Sequence, residues 1–487
     1  MQQLKPQDAQ FLYLESGHNL THVTAVLTFD PSTVPGGSKV RFKDIIAHVA
    51  SRLAMSPLFR RRLVRVPLEL DYPYWVDDEH FDIEYHMHHG RLPEPGDWRQ
   101  FCIHMARYHA RPLDMSRPLW EMVVVEGLDN IPGLAKGSYA IATKIHHAAV
   151  DGTSMVKFFG AISDIDAKGT PALPLDAAPL PCSERPRPID ILRRGIVNNL
   201  RSPVRLAGAI SRAAPGLVKA TENTLHSRGK PKASVPKTRF NAKVSPHKMF
   251  DAVAFDLDAL KAARQSVPGC TINDVVLAVC GGALRRYLKH HGELPEQSLV
   301  ALVPINARSA GARDEPGAGN NISSMTAAIH TGEADPTERL RRIMLATRAS
   351  KTVQAGISAR LLTDLTQHVP AATQVMAARL VLTSGVAGGL ANLIVSNVPG
   401  PQVPLYMNGA RQVGCYGVAP LSDGMGLFIN TPSYEGRMFF NVTSSREIMP
   451  DIEFFIDCLR ASLAELQPAA RTTRPRRARR TVKETQS

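Results

Sequence analysis

A proline-rich, basic stretch near the middle of the chain is the feature that most constrains its fold. Six prolines fall between Pro171 and Pro188, and the segment from Ser183 to Lys248 carries fifteen Lys and Arg residues against three acidic ones. Proline interrupts helices and central strands, and 487 residues exceed what one hydrophobic core usually serves. We therefore predict two folded domains, at residues 1–182 and 249–468. A connector at residues 183–248 joins them, and residues 469–487 form a disordered tail.

The positive charge lies mainly outside the predicted domains. The chain has a formal net charge of +14, of which the connector contributes +12 and the segment from Arg471 onward +6, so the remaining residues carry about −4. A folded nucleic-acid-binding domain would carry the basic residues on its own surface, whereas basic segments beside a folded body are attracted to anionic membranes. We expect an anionic membrane or lipid-droplet surface as a partner, and no nucleic acid.

The connector contains a basic amphipathic helix. Apolar residues recur at helical spacing, and most of the arginines lie off that stripe; the stripe consists of Ile189, Leu192, Ile196 and Leu200. Such a helix can lie in a membrane interface, or it can pack as a linker on its own domains. The sequence leaves both interpretations open.

Cysteine usage and hydropathy indicate the compartment. The six cysteines are scattered without a Cys-x-x-Cys pair, which predicts free thiols in a reducing compartment. The N-terminus has no apolar signal segment, and the uncharged stretch from Leu380 to Ala410 is interrupted by glycine, asparagine and proline. We predict buried helix and strand there, and a cytoplasmic protein associated peripherally with the inner membrane or lipid inclusions.

A His-His-x-x-x-Asp-Gly motif follows an apolar, β-branched segment. The segment from Tyr139 to Ile145 predicts a buried strand that runs into His146 and His147. An alcohol attacks a thioester poorly unless a base removes its proton, and histidine suits that role near neutral pH. We predict His147 as the general base and His146 as a supporting residue. Asp151 and Gly152 are also predicted to support the base. The Asp151 carboxylate closes the turn, and Gly152 permits the bend that follows.

A zinc site is the other interpretation of two histidines and a carboxylate. Neighbouring histidines in a strand diverge, and no third ligand stands at a recognisable spacing. The sequence also lacks a Gly-x-Ser-x-Gly nucleophile elbow, a dinucleotide-binding fingerprint and a Walker loop. We therefore expect direct attack of the acceptor on acyl-CoA, with no metal and no cofactor besides acyl-CoA as co-substrate.

Residue patterns predict further elements in both halves. Expected strands are Ala25–Phe29, Glu121–Glu126, Ala301–Ile305, Asn392–Ser396 and Met438–Thr443. Expected helices are Phe42–Leu53, Ser154–Ile162, a long one opened by Thr271 and ending near Gly292, and Leu459–Leu466.

Several motifs in this order resemble the bacterial wax ester synthase/diacylglycerol acyltransferases, a family within the chloramphenicol acetyltransferase-like superfamily. The resemblance covers nearly the whole chain. Its motifs are Leu4-Lys5-Pro6-Gln7-Asp8, Phe11-Leu12, His22-Val23, Pro118-Leu119-Trp120, His146 to Gly152, Asn273-Asp274, Ser396-Asn397-Val398-Pro399-Gly400-Pro401 and Ser433-Tyr434-Glu435-Gly436.

The resemblance implies an α/β fold of two chloramphenicol acetyltransferase-like domains, each a mixed sheet flanked by helices, with the active site at their interface. It implies transfer of a long-chain acyl group from acyl-CoA to diacylglycerol, to a long-chain fatty alcohol, or to both. By the same resemblance His147 is the base, and Asn273 positions the thioester or stabilises the oxyanion. Asp274 is expected to close a capping box with Thr271.

Two other functions remain as alternatives. One is a glycerolipid acyltransferase that uses His146 and Asp151 as a His-x-x-x-x-Asp pair. The other is a lipid-droplet or membrane-coating protein that has kept the fold and lost turnover. The sequence does not determine the preferred acceptor, the acyl chain length, the residues that contact CoA or the oligomeric state.

Overall fold

The protein folds as a mixed α/β structure built on two six-stranded sheets. The computed structural model describes residues 2–37, 39–53, 56, 59–149, 158–169, 187, 189–198, 235–306, 322–356, 370–384 and 389–467. A three-stranded sheet of order β1-β4-β3 flanks the first large sheet. Its strands are β1 (Gln2–Gln3), β3 (Arg61–Val64) and β4 (Tyr74–Asp77).

The first large sheet has the order β12-β13-β2-β7-β6-β5, in which only the β5–β6 pair is parallel. Its strands are β2 (His22–Asp30), β5 (Met87–Arg91), β6 (Trp120–Glu126), β7 (Tyr139–His146), β12 (Tyr406–Met407) and β13 (Ala410–Val418). Every residue of β7 is buried, because both faces of this central strand are covered. The helices of this half are α1 (Pro6–Tyr13), α2 (Phe42–Ala50), α3 (Ile83–His86), α4 (Trp98–His109) and a helical segment described from 158 to 162, α5.

The second large sheet has the order β10-β9-β11-β14-β15-β8. Its strands are β8 (Lys248–Asp256), β9 (Val300–Asn306), β10 (Ile322–Ala328), β11 (Leu393–Val398), β14 (Leu427–Tyr434) and β15 (Arg437–Ser445). The remaining helices are 189–198 (α6), α7 (Leu257–Gln265), α8 (Ile272–His290), α9 (Pro336–Gly356), α10 (Ala371–Ser384) and α11 (Ile452–Leu466). Helix α8 forms the centre of this core, with most of its side chains buried.

One strand pair from the C-terminal part of the chain belongs to the first sheet. Strands β12 and β13 follow β11 of the second sheet, pair with β2 through β13, and are followed by β14, back in the second sheet. Apolar residues from both sheets also share one core, where Phe250 and Ala252 of β8 pack with Val26 and Ala140 around α4. The division at residues 182 and 249 stays a prediction, since periodicity in the sequence does not show which sheet a strand joins.

The predicted elements that fall on described residues are present. The five expected strands correspond to β2, β6, β9, β11 and β15, and the long helix is α8. The helix expected to end at Leu53 ends at Ala50, and the closing helix begins at Ile452 instead of Leu459. Within the helix expected from Ser154, only 158–162 is described and is helical. The tail after residue 467 lies outside the described residues.

The segment from Leu380 to Ala410 contains the end of α10 followed by β11. Strand β11 is buried at Leu393 and Val395, as expected of the strand. The burial of the helical residues from Leu380 onward stays a prediction, since the described side chains of α10 lie before that position. Among the described helices, none is both long and apolar enough to cross a membrane. The five cysteines other than Cys182 are free thiols.

Candidate active site

The two histidines of the motif, at the end of strand β7 and just after it, have different surroundings. The His146 N–H donates to the Leu119 carbonyl at 3.0 Å on one side, and the His147 N–H donates to the Thr21 carbonyl at 3.1 Å on the other. Successive side chains of an extended chain point to opposite faces. As a result His146 is fully buried, whereas His147 is only partly buried.

The imidazole of His146 is held at both ring nitrogens. Its Nδ1 accepts a hydrogen bond from the Ala148 N–H at 3.1 Å, so the proton of the neutral ring lies on Nε2. That Nε2 lies 3.1 Å from Glu15 Oε2 and 3.1 Å from Thr21 Oγ1. The Thr21 hydroxyl donates to the Phe11 carbonyl at 2.8 Å, which leaves its oxygen as an acceptor. His146 therefore ties the turn after β7 to the N-terminal segment.

The imidazole of His147 lies flat against the ring of Phe11. The ring centroids are 3.9 Å apart and the planes are inclined by 15°. Phe11 is on α1, whose C-terminal end leads into Glu15, so one short N-terminal segment positions both histidines. The sequence does not indicate Glu15 or Thr21 as site residues, and it marks Phe11 only as part of a motif. No spacing along the chain relates these residues to position 147.

The turn after the histidines lies where both halves of the chain meet. Ala148 shares an apolar cluster with Leu12 of α1 and with Ala371 and Ala378 of α10. Helix α10 comes from the C-terminal half and packs directly on α1. A helix from more than 200 residues later in the sequence therefore belongs to the same apolar cluster as the turn after the histidines.

The remaining predicted site residues are not all described. Asp151 and Gly152 lie outside the described residues, so their roles stay predictions. Asn273 is the second residue of α8 and is partly buried. The structure does not test its predicted role.

Asp274 has the structural role expected of it. Its Oδ2 accepts from the Thr271 N–H at 2.8 Å and from the Thr271 hydroxyl at 2.7 Å, while the Asp274 N–H donates back to Thr271 Oγ1 at 3.2 Å. The Thr347 hydroxyl donates to Asp274 Oδ1 at 2.7 Å. This capping box satisfies the first N–H groups of α8 and fixes the turn that carries Asn273.

Buried basic residues lie beside His146 on the same face of the sheet. The Lys144 ammonium has no exposed surface and lies 2.8 Å from Glu121 Oε1, and burial lowers its pKa. Across the β2–β7 pair, His22 faces His146. Burial, together with the nearby Lys144 charge, lowers the pKa of His22 to about 3. Burial also holds the pKa of His109 well below its usual range, so both of these histidines are neutral at physiological pH.

Two other motifs have structural roles that the contacts explain. Trp120 is buried, its indole N–H donates to the Phe59 carbonyl at 3.0 Å, and its ring stacks on His86. The Ser396–Pro401 motif meets the Ser433–Gly436 motif where the Gly400 N–H donates to Ser433 Oγ at 3.2 Å. A Cβ on Gly400 would lie 2.2 Å from the Ser433 carbonyl oxygen, so this crossing requires glycine.

Metal ligands are not clustered in the part of the chain that the structure describes. Within that part, no group of three or more His, Cys, Asp or Glu side chains is arranged to hold a metal ion. His86, one of three clustered histidines in the sequence, instead donates from Nδ1 to the Trp120 carbonyl at 2.7 Å.

Comparison with family models identifies both halves of the chain. Residues 4–276 match the wax ester synthase/diacylglycerol acyltransferase catalytic domain, and residues 318–467 match the WS/DGAT C-terminal domain. A putative diacylglycerol O-acyltransferase of Mycobacterium tuberculosis is 33% identical over 468 residues, which cover 96% of this chain and 90% of the relative. One from Mycobacterium bovis is 30% identical over 481 residues, covering 96% and 99%.

Solved structures share the fold. The wax ester synthase/diacylglycerol acyltransferase from Marinobacter aquaeolei VT8 superposes with a TM-score of 0.66 at 28% identity, covering 95% of this chain and 98% of that one. The trichothecene 15-O-acetyltransferase from Fusarium sporotrichioides superposes with a TM-score of 0.59 at 12% identity, covering 96% and 94%. At that identity, the second likeness concerns the fold alone.

Proposed function

Since the chain belongs to the wax ester synthase/diacylglycerol acyltransferase family and is an acyl-CoA-dependent O-acyltransferase, we propose that His147 is the general base of its reaction. The enzyme transfers an acyl group from acyl-CoA to diacylglycerol or to a long-chain alcohol.

In the proposed reaction His147 takes the proton from the acceptor hydroxyl as the acceptor oxygen attacks the thioester carbonyl. The C–O bond forms as the carbonyl π-electrons move onto oxygen, which gives a tetrahedral oxyanion. Collapse of the oxyanion breaks the C–S bond and releases the CoA thiolate, to which protonated His147 returns the proton. Base catalysis of this kind typically contributes about 10²–10⁴-fold to the rate.

One observation carries the assignment of the base to His147 and not to His146. Both ring nitrogens of His146 are engaged by protein atoms, Nδ1 as acceptor from Ala148 and Nε2 as donor to Glu15 and Thr21, in a fully buried position. A base needs an available lone pair within reach of the substrate. The same contacts weigh against a His-x-x-x-x-Asp mechanism based on His146, which we instead propose to be the residue that holds the turn carrying His147.

We further propose supporting roles for the other predicted residues. An amide N–H of Asn273 would stabilise the developing oxyanion or hold the thioester carbonyl. The carboxylate of Asp151 would orient an imidazole or anchor the turn, and Gly152 would permit the bend that follows. The site would lie at the interface of the two halves, a placement supported by the apolar cluster that Ala148 shares with residues of α1 and α10.

The surroundings proposed for the enzyme follow from its substrates and its charge. Diacylglycerol and fatty alcohols reside in lipid, so the protein would work at the inner membrane or on lipid inclusions. The strongly basic connector and tail suit an anionic lipid surface. The proposed reaction requires acyl-CoA as co-substrate, no further cofactor, no metal and no nucleic acid.

Activity assays on His147→Ala and His146→Ala test the assignment. Purified protein is incubated with radiolabelled acyl-CoA and with diolein or hexadecanol, and ester is measured in single-turnover and steady-state experiments. We expect His147→Ala to abolish ester formation at unchanged acyl-CoA affinity, and His146→Ala to lose stability together with part of the activity. Full activity in His147→Ala would overturn the proposal. Wild-type protein that forms no ester above the His147→Ala background would favour a coating protein.

A further inference from the structure

Helix α6 turns the apolar stripe of the connector away from the protein. The sequence places Ile189, Leu192 and Ile196 on one face of this helix, yet Ile189 is 64% and Ile196 46% exposed. Val197, beside them on the helix surface, is also exposed. The helix buries Ile191 and Gly195, from the opposite face, while Leu192 of the stripe is partly buried. The stripe is therefore not the face by which the helix packs on its own protein.

Specific contacts hold α6 in this orientation. Ile191 packs with Val66 and Tyr74 in a small apolar cluster. A Cβ on Gly195 would lie 3.1 Å from Val66 Cγ1, so the small residue permits close approach. One turn later the Asn198 side-chain amide donates to Asp71 Oδ2 at 2.8 Å. Because these contacts lie on one side of the helix, the apolar stripe must face outward.

The turn next to α6 presents another apolar side chain to solvent. Leu68 is 87% exposed and has a φ of 57°, and Glu69 follows with a φ of 52°. The left-handed region is unfavourable for a bulky side chain such as leucine. Val66 and Leu70, on either side of this turn, both lie against Gly195 of α6. The left-handed backbone of this turn thus leaves Leu68 exposed, in a segment that packs on α6.

Charge indicates what covers this surface. Arg193 and Arg194 are exposed on α6, within a connector of net charge +12. Exposed apolar side chains flanked by arginines fit an anionic lipid surface, where the apolar groups insert and the guanidinium groups reach phosphates. A second copy of the chain docked symmetrically on the same face would instead bring like charges together.

We propose that α6 and the Pro67–Glu69 turn form a lipid-docking surface, in which Leu68, Ile189, Ile196 and Val197 insert into an anionic lipid surface. Helix α10 packs on both this turn and α1, and α1 carries Phe11, which stacks on His147. The docking surface is therefore separated from His147 by these two helices. Its use in admitting a lipid acceptor rests on the proposed function, but lipid binding itself does not.

Vesicle flotation of the full-length protein tests the surface. The variant Leu68→Ser/Ile189→Ser/Ile196→Ser is compared with the wild type and with a matched control, Ile165→Ser/Leu345→Ser/Leu390→Ser, which removes three other exposed apolar side chains. On phosphatidylcholine–phosphatidylglycerol vesicles the first variant should bind at least about tenfold more weakly, and the control should bind like the wild type. Arg193→Glu/Arg194→Glu should lose the preference for these vesicles over pure phosphatidylcholine.

Thermal melting and sedimentation velocity accompany the binding measurements. Unchanged vesicle affinity of the triple variant would overturn the proposal. A wild type that is dimeric and a triple variant that is monomeric, with the same vesicle binding, would also overturn it. Turnover on a water-soluble short-chain alcohol separates this outcome from the catalytic proposal. All variants should keep that turnover, and a wild type that binds vesicles but forms no ester would contradict only the catalytic proposal.

Discussion

Two of the three pairs of adjacent histidines in this chain differ in their surroundings. His146 and His147 end a buried strand, and the N-terminal segment contacts both rings through Glu15, Thr21 and Phe11. His290 and His291 end helix α8 at the surface, where His291 Nε2 lies 3.0 Å from Asp451 Oδ2 and His290 packs on Phe454. The second pair complements the negative end of a helix dipole. The dipeptide alone therefore indicates no function; its position in the fold does.

The largest difference between the pairs should appear in turnover. We expect His147→Gln to lower kcat by about 10²–10⁴-fold, the usual contribution of a general base, while His290→Gln and His291→Gln leave kcat within about twofold. Steady-state assays with saturating acyl-CoA measure this. Similar losses of kcat at the two pairs would contradict a general-base role that is specific to His147.

The pH dependence of stability should differ between the buried surroundings of the first pair and the exposed position of His290 in the second. Burial lowers the pKa of His22, which faces His146, from 6.5 to about 3. Between these values the unfolded chain binds a proton at this residue that the folded chain does not. Stability should therefore fall as the pH drops below 6.5, by up to about 1.4 kcal/mol per pH unit.

Urea unfolding at a series of pH values measures this slope. His22→Gln should make the acid-side slope shallower, whereas His290→Gln, at an exposed position, should leave it as in the wild type. An unchanged slope in His22→Gln would contradict a neutral, buried imidazole at this position.

The contact between His146 and Glu15 should matter for turnover more than for binding. Glu15→Ala removes an acceptor of the Nε2–H and should lower kcat by about tenfold, equivalent to about 1.4 kcal/mol in the barrier, with little change in KM. Glu15→Gln keeps a side-chain carbonyl acceptor and should recover most of the rate. If both variants raised KM equally at unchanged kcat, Glu15 would contribute to substrate binding and not to positioning.

The smallest effect is expected at the helix-terminal pair. His291→Ala removes the contact with Asp451 and a favourable dipole interaction, and should cost about 0.5–1 kcal/mol of unfolding free energy. Thermal unfolding measures this cost, and kcat serves as the control. A lowered kcat at unchanged stability would indicate a role for the second pair in the reaction.

Local sequence alone determined much of the fold. The β-branched run from Tyr139 predicts strand β7 and its end at the histidines, because alternation and residue type act over a few neighbours. Thr271 and Asp274, three residues apart, predict the start of α8, since a capping box needs only the backbone between them. The motif predicts the class of chemistry for the same reason, as its residues lie within seven consecutive positions of the sequence.

Only the tertiary structure decided what surrounds these elements. Glu15 lies 131 residues from His146 in the chain yet contacts its ring, and β13 joins a sheet begun almost 400 residues earlier at β2. The apolar stripe of α6 faces outward because Gly195 and Ile191 fit against Val66, which the periodicity of the helix does not encode. Periodicity reports that a face is apolar, whereas its partner depends on packing between segments distant in sequence. That packing sets the pairing of the segments, and with it the position of His147 against α1.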